Sequence, residues 1–258
     1  MPKRGRFTRG PVGLGRMVDR RVLRLVAPEK KFFDNPIATG EGWQISCSGS
    51  SAANAVCGPA DTTDPDGTGG GIQQNASAQG RIGSKIAIDS ISCRLKLWQN
   101  YFELSNLFYF PKMIRVVLVL DKQSNGDSAK YNDVFTHPAA DPDFSLWTRN
   151  LTSPTRFSIL YDKVHTLPPP VVQQESATAP TMMLVPAHKI ITINKKFKRP
   201  LMREYMTGAS GGLPSMIAKN EILLFFLPCH SADYPGSSSD DTQWAFVDGL
   251  VRLRFTDA

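Results

Sequence analysis

The sequence predicts an all-β protein: a sandwich of two sheets with long connecting loops, behind a basic N-terminal arm. Three observations carry that prediction. Seven stretches read as strands, either by alternation of apolar and polar residues or as short unbroken β-branched runs, and an eighth is weaker. No window repeats its apolar residues with the period of an amphipathic helix, and the best short helical candidates fall within 199–220. The intervening segments, 48–80, 122–155, 162–181, 199–220 and 228–243, are longer than the loops of an immunoglobulin-like sandwich. Eight strands in about 220 residues suit two packed sheets, with an open barrel as the alternative.

The chain opens on MPKRGRFTRGPVGLGRMVDRRVLR, where Lys3, Arg4, Arg6, Arg9, Arg16, Arg20, Arg21 and Arg24 face a single acid, Asp19. Eight of the 30 lysines and arginines and one of the 23 acids lie in residues 1–24, so this stretch carries the whole formal charge of +7. The other 234 residues balance at 22 of each sign. Arginine dominates, and its fork matches phosphate oxygens better than a lysine point charge does. Gly5, Gly10, Pro11, Gly13 and Gly15 interrupt any early helix, so the free arm is expected to be flexible and disordered. Such an arm points to nucleic acid or nuclear import, the plainer alternative being a solvated terminus. Further on, Val22, Leu23, Leu25 and Val26 interleave with arginines as a short strand or helical turn would. The chain is therefore divided into an arm, 1–31, and a body, 32–258.

Within the body, 43–47 (WQISC) reads as a first short strand, and 48–80 as a long surface excursion of Ser, Ala, Gly, Asn, Asp and Pro. Ile86 and Ile88 share one face, then Ile91, Cys93, Leu95 and Leu97 share the next, with Arg94 and Lys96 opposite. The apolar register slips by one residue at Asp89-Ser90, which predicts a β-bulge in a long bent strand. Residues 112–121 (KMIRVVLVLD) are nearly unbroken apolar, as in a strand buried on both faces. Residues 156–161 alternate Phe157, Ile159 and Tyr161 with their neighbours, and 189–198 alternate Ile191, Ile193 and Phe197 with Thr192, Asn194 and Lys196. The run 221–227 (EILLFFL) is a second buried strand. Residues 244–255 close the series, with Val251, Leu253 and Phe255 facing in and Arg252 and Arg254 out. Met182–Val185 is the weaker candidate.

Composition narrows the chemistry. There is no run of eighteen apolar residues and no apolar leader, so neither a membrane helix nor secretion is expected. The sequons at Asn75 and Asn150 are accordingly read as chance. Cys47, Cys57, Cys93 and Cys229 lack CxxC pairing and read as free thiols of a reducing compartment. His137, His165, His188 and His230 lack metal-ligand spacing. The nearest approach to a cation site, Asp133, His137, Asp141 and Asp143, is better read as a hydrated acidic loop. Residues 211–215 (GGLPS) form no nucleophile elbow. In 80–85 (GRIGSK) Ser precedes Lys and a strand follows, which rules out a phosphate loop. No catalytic residue, metal or cofactor is assigned, and no enzymatic activity is expected. A second basic cluster, Lys195, Lys196, Lys198 and Arg199, is expected at a strand end. Alternation puts Lys196 and Lys198 on one face and Lys195 beside Phe197 on the other. The cluster is a phosphate-contacting patch, an import signal, or a charged end that discourages edge pairing.

Several runs taken in order carry a resemblance: Gly83-Ser84-Lys85-Ile86 with Ser90-Ile91 and Arg94, then 115–126 (RVVLVLDKQSNG), Asp133-Val134-Phe135, and 156–163 (RFSILYDK). Together, over roughly residues 80–200, they are similar to the capsid proteins of small circular single-stranded DNA viruses, circovirus-like and geminivirus-like, with the arginine-rich arm as an added match. The resemblance implies an eight-stranded jelly-roll shell domain that self-assembles into an icosahedral T=1 shell of roughly sixty copies. It implies an arm turned inward onto the single-stranded DNA genome, and loops forming the outer surface and subunit contacts. A virion protein of this kind enters the host nucleus through import receptors, meets a host surface receptor, and inserts into no membrane. Physically, each arm would neutralise on the order of seven phosphates, with a strong dependence on salt. A neutral body also spares neighbouring subunits mutual repulsion. Phe7 and Trp43 are candidate stacking partners for bases, with packing as their alternative role. The residues by themselves leave open a non-viral nucleic-acid chaperone with a basic tail, a jelly-roll enzyme or sugar-binding domain, and the coat protein of a small RNA virus.

Overall fold

The computed structural model describes residues 29–37, 43–45, 54–55, 71–99, 112–126, 129–136, 147–168, 171–174, 182–185, 187–211, 216–229 and 245–258. In chain order these hold β1 (Lys30–Pro36), β2 (Trp43–Ile45), β3 (Asn54–Ala55), β4 (Lys85–Gln99), β5 (Met113–Asp121), α1 (Tyr131–Val134), β6 (Phe135–Thr136) and β7 (Thr148–Arg149). There follow β8 (Phe157–Thr166), β9 (Val171–Gln174), β10 (Met182–Val185), β11 (His188–Tyr205), β12 (Ile217–Lys219), β13 (Glu221–Cys229) and β14 (Ala245–Asp257). The protein is all-β, and the strands named among the described residues pair antiparallel.

One sheet has the order β1-β14-β4-β11-β12, with β2 also beside β14, and a second has the order β3-β13-β5-β8. The hairpins β9–β10 and β6–β7 stand apart. Alternation explains how the two sheets close on each other. Ile91, Cys93, Leu95 and Leu97 of β4, Ile191 and Ile193 of β11, and Val251, Leu253 and Phe255 of β14 form one wall of the main core. Ile114, Val116, Leu118 and Leu120 of β5 with Ile222, Leu224 and Phe226 of β13 form the other. Each such side chain taken out of water stabilises the fold by about 1.5–3 kcal/mol.

The bulge read from the sequence is present. Ser90 pairs with both Arg254 and Lys196, while Ile88 pairs with Phe255 and Leu201, so Asp89 is the extra residue. That single insertion lets Ile86 and Ile88 stay on the core side with Ile91 beyond them. On β14, Gly249 lies against β4 so closely that a Cβ there would sit 2.4 Å from the Arg94 carbonyl oxygen.

β5 is buried on both faces, as its composition predicts. Its second face, with Val117 and Val119, joins Leu223, Phe225 and Leu227 of β13 beneath Ala129, Val134, Phe135, Trp147 and Phe157. The connection between β5 and β8 thus folds back as a cover. Arg115 fastens it, forking onto both Asp162 carboxylate oxygens at 2.7 and 2.6 Å and donating to the Trp147 carbonyl at 2.7 Å. Asp162 holds the Arg115 pKa above its usual value against the opposing effect of burial. At the far end of β5, buried Asp121 accepts from Arg156 Nε at 2.9 Å and from the Gln123 amide at 2.9 Å.

Three expectations change. Among the described residues the α-helix is α1, in the cover, while 212–215, within the stretch expected to be helical, lie outside the described residues. Residues 199–205 instead continue β11, because Leu201, Arg203 and Tyr205 keep its inward register against Ile88 and Ile86. β1 is a strand that the sequence reading did not single out, and it pairs with β14 over its whole length. Lys30 and Lys31 therefore belong to the sheet and not to an arm that ends at residue 31. Lys31 is buried, with its ammonium 2.8 Å from Asp257 and donating to the Gly80 carbonyl at 3.1 Å.

Beyond the end of the sandwich, the segment before β4 is latched by one side chain. Arg81 is fully buried and donates to the carbonyls of Ile72 at 3.2 Å and Gly211 at 3.1 Å, and to those of Gly83 and Ala209. Its guanidinium carbon lies 4.0 Å from the Tyr205 ring centroid. Burial pushes the Arg81 pKa down, and Tyr205 and Asp257 pull it back. This accounts for Arg81 in the GRIGSK run: its cation binds main chain, not a phosphate.

Candidate nucleic-acid interface

Of the predicted contact residues, Lys3, Arg4, Arg6, Arg9, Arg16, Arg20, Arg21 and Arg24 lie outside the described residues, as does Phe7. The second cluster is described, and its setting differs from the expectation. It does not end a strand. After Lys196 pairs with Ser90, the next paired residue of β11 is Leu201, opposite Ile88, so Phe197, Lys198, Arg199 and Pro200 form a wide irregularity in the middle of β11. Pro200 has no amide hydrogen for a ladder, and it falls where the ladder is interrupted.

Lys195, Lys196, Lys198 and Arg199 are all exposed, while Phe197 is half-buried against the main core. Lys195 keeps the register of Ile191 and Ile193 yet is exposed, so simple alternation does not describe this stretch. On its far side β11 meets β12 only at Glu204 and Tyr205. The cations and the irregularity therefore also lie on a sheet edge among the described residues, where both features discourage pairing.

The register brings this cluster together with residues far away in sequence. On the solvent side of the larger sheet, Lys196, Ser90, Arg254 and Phe32 form one cross-strand row. Asn194, Ser92, Arg252 and Asp34 form the next, and Ser92 donates to Asn194 Oδ1 at 2.6 Å. Thr192, Arg94 and Leu250 follow, then Ile190, Lys96 and Asp248, then His188, Trp98 and Phe246. Arg252 forks onto Asp34 at 2.6 and 2.7 Å, and this partner raises its pKa. Lys96 Nζ lies 5.2 Å from the centroid of Trp98, which stacks on Phe246 at 5.7 Å. The sequence marked Arg94, Lys96, Arg252 and Arg254 as outward-facing. It did not reveal that β4 lies between β14 and β11, which is what gathers them.

Other candidates resolve into structural roles. Asp133 accepts the Lys130 amide at 2.8 Å at the start of α1, while His137, Asp141 and Asp143 lie outside the described residues. Among the described residues no three His, Cys, Asp or Glu side chains gather as a metal site. Cys93 is buried in the core and its thiol is pushed up to about 12, so it carries no thiolate at neutral pH. His165 shares a 2.9 Å hydrogen bond with the Tyr161 hydroxyl, and burial, then Lys189 and Lys163, lower its pKa. Among the described residues no helix is long and apolar enough to cross a membrane.

No protein-family model matches the chain, and no curated protein matches it in sequence.

Proposed function

We propose that this chain is the capsid protein of a small circular single-stranded DNA virus: a jelly-roll shell subunit that self-assembles into an icosahedral particle and packages its genome through the arginine-rich arm. The observation that carries the reading is the distribution of charge. All of the formal +7 lies in residues 1–24, ahead of residues 25–258, whose 22 basic and 22 acidic groups balance. A concentrated cationic arm neutralises phosphates without regard to base sequence, and a neutral, mostly β body packs against copies of itself without net repulsion. Support also comes from the two curled antiparallel sheets and from the order of the sequence runs that resemble circovirus-like and geminivirus-like coat proteins. On this reading the protein resides in the virion and the host nucleus, its import receptors recognise the arm, and it has no enzymatic role.

The test is expression of the full chain and of a variant lacking residues 1–24, each imaged by negative-stain electron microscopy with nucleic-acid and protein absorbance measured on the same fractions. Closed, uniform particles that carry nucleic acid, with the nucleic acid lost on removing the arm, are expected. Small discrete oligomers that bind nucleic acid at low salt would replace this reading with a chaperone-like one. RNA in the particles would move the assignment to an RNA virus.

A further inference from the structure

We infer that the solvent face of the larger sheet is itself a contact surface for single-stranded nucleic acid, separate from the arm. The inference rests on the reading of the chain as a packager of nucleic acid, and adds to it a site built from the body. Three observations carry it. First, the cross-strand rows gather five cations, Arg94, Lys96, Lys196, Arg252 and Arg254, against two acids, Asp34 and Asp248, although residues 25–258 as a whole balance. Asp34 is taken by Arg252, whereas Arg94, Lys196 and Arg254 have no carboxylate partner among the described residues. Second, aromatic rings stand among these cations: Phe32 is 40% exposed with Arg252 5.4 Å from its centroid, and half-exposed Trp98 has Lys96 beside it. Cations interleaved with accessible rings are what a flexible strand needs, phosphates to the one and base faces to the other. Third, the residues sit on hydrogen-bonded strands rather than on loops, so their spacing is preset. Neighbouring rows lie about 7 Å apart along the strands and neighbouring strands about 4.8 Å apart.

The same face exposes Ile190 and Leu250, which raises a second copy of this chain as a rival occupant. Charge decides between them. A two-fold contact places the same patch on both partners, so the excess cations would face one another. A polyanion is drawn to that excess.

The experiment uses the full chain and a fluorescein-labelled oligothymidylate, with anisotropy titrations across a range of salt. The variants are Arg94→Gln/Lys196→Gln/Arg254→Gln on the face and Arg4→Gln/Arg6→Gln/Arg9→Gln in the arm. Single-stranded binding loses about 0.7 in the log–log salt slope per phosphate contact, so the face variant should lower the slope by about 2. Trp98→Leu should weaken binding while leaving that slope unchanged. Should the triple variant fail to fold by circular dichroism, Lys196→Gln alone, with a loss of about 0.7, answers the same question. An unchanged slope in the face variant beside a reduced one in the arm variant overturns the inference and leaves the packaging reading intact. An unchanged slope with altered sedimentation of the particles makes the face a subunit contact, which also overturns it. If the unsubstituted protein does not bind the oligonucleotide, both readings fall.

Discussion

Arg81 offers the most direct test of how the segment before β4 is held. The substitution Arg81→Met removes every donor and keeps an apolar stem of similar length. Four carbonyls lose their partner, those of Ile72, Gly83, Ala209 and Gly211. Ile72 is fully buried, so its carbonyl should bear the full cost of an unmade bond, about 1–3 kcal/mol. The other three belong to half-buried residues and regain part of their loss from water. The cation over Tyr205 adds about 0.5–2 kcal/mol, and removing a buried charge returns some desolvation energy. The net expectation is a loss of about 3–5 kcal/mol, or about 10 °C in melting temperature for a domain of this size. Calorimetry gives the global value, and hydrogen exchange shows whether 71–83 and 206–211 open together. Arg81→Lys should recover only a small part, because a single ammonium cannot span carbonyls on three segments. A loss below about 1 kcal/mol with unchanged exchange would refute the latch.

Three further predictions rest on burial and register. Leu118→Asp and Phe225→Asp place an unpaired charge in the main core and under the cover respectively, so neither variant should fold; a soluble variant with native circular dichroism would contradict the double burial of the second sheet. Deleting Asp89 should be far more damaging than Asp89→Ala, because the deletion turns Ile86 and Ile88 away from the core, and equal urea midpoints for the two would mean the bulge is dispensable. His165 is held below the ordinary histidine range, so the unfolded chain takes up its proton first as pH falls through about 6.5, and stability should decline from there until the folded group also titrates. His165→Gln should flatten that decline, and parallel urea-midpoint profiles for both proteins between about pH 7.5 and pH 5 would exclude the group.

Legibility in the sequence followed the range of the interactions. The slip at Asp89-Ser90 was visible because a bulge shifts the apolar parity of its own strand. The double burial of β5 was visible because KMIRVVLVLD has almost no polar residue to turn outward, although nothing local says that Trp147 and Phe135 supply the cover. β1 was missed because KKFFDNP mixes buried Lys31 and Asn35 with exposed Phe32, an order set by pairing to β14 rather than by polarity. The continuation of β11 past Pro200 was missed because proline normally marks a stop, and only the absence of partners on β4 makes it tolerable there. The cationic face was half legible. Each of Arg94, Lys96, Arg252 and Arg254 could be assigned outward, but strand order, a property of the whole fold, decides that they are neighbours.

The position of β4 bears on how the chain is made. Both of its neighbours, β11 and β14, are C-terminal to it, and Ser90 finds its partner Arg254 only 164 positions later. A ribosome adding about 5–20 residues each second leaves that edge open for about 8–30 s after β4 emerges. For the first 106 of those positions, until Lys196 is made, a long strand with Ile86, Ile88, Ile91, Leu95 and Leu97 on its apolar side has no native neighbour on either flank. The cations on its other side, Arg94 and Lys96, and the kink at Asp89 then guard the nascent chain against pairing with another copy of itself. The larger sheet thus closes only once β14, 164 positions beyond its partner residue on β4, has been made.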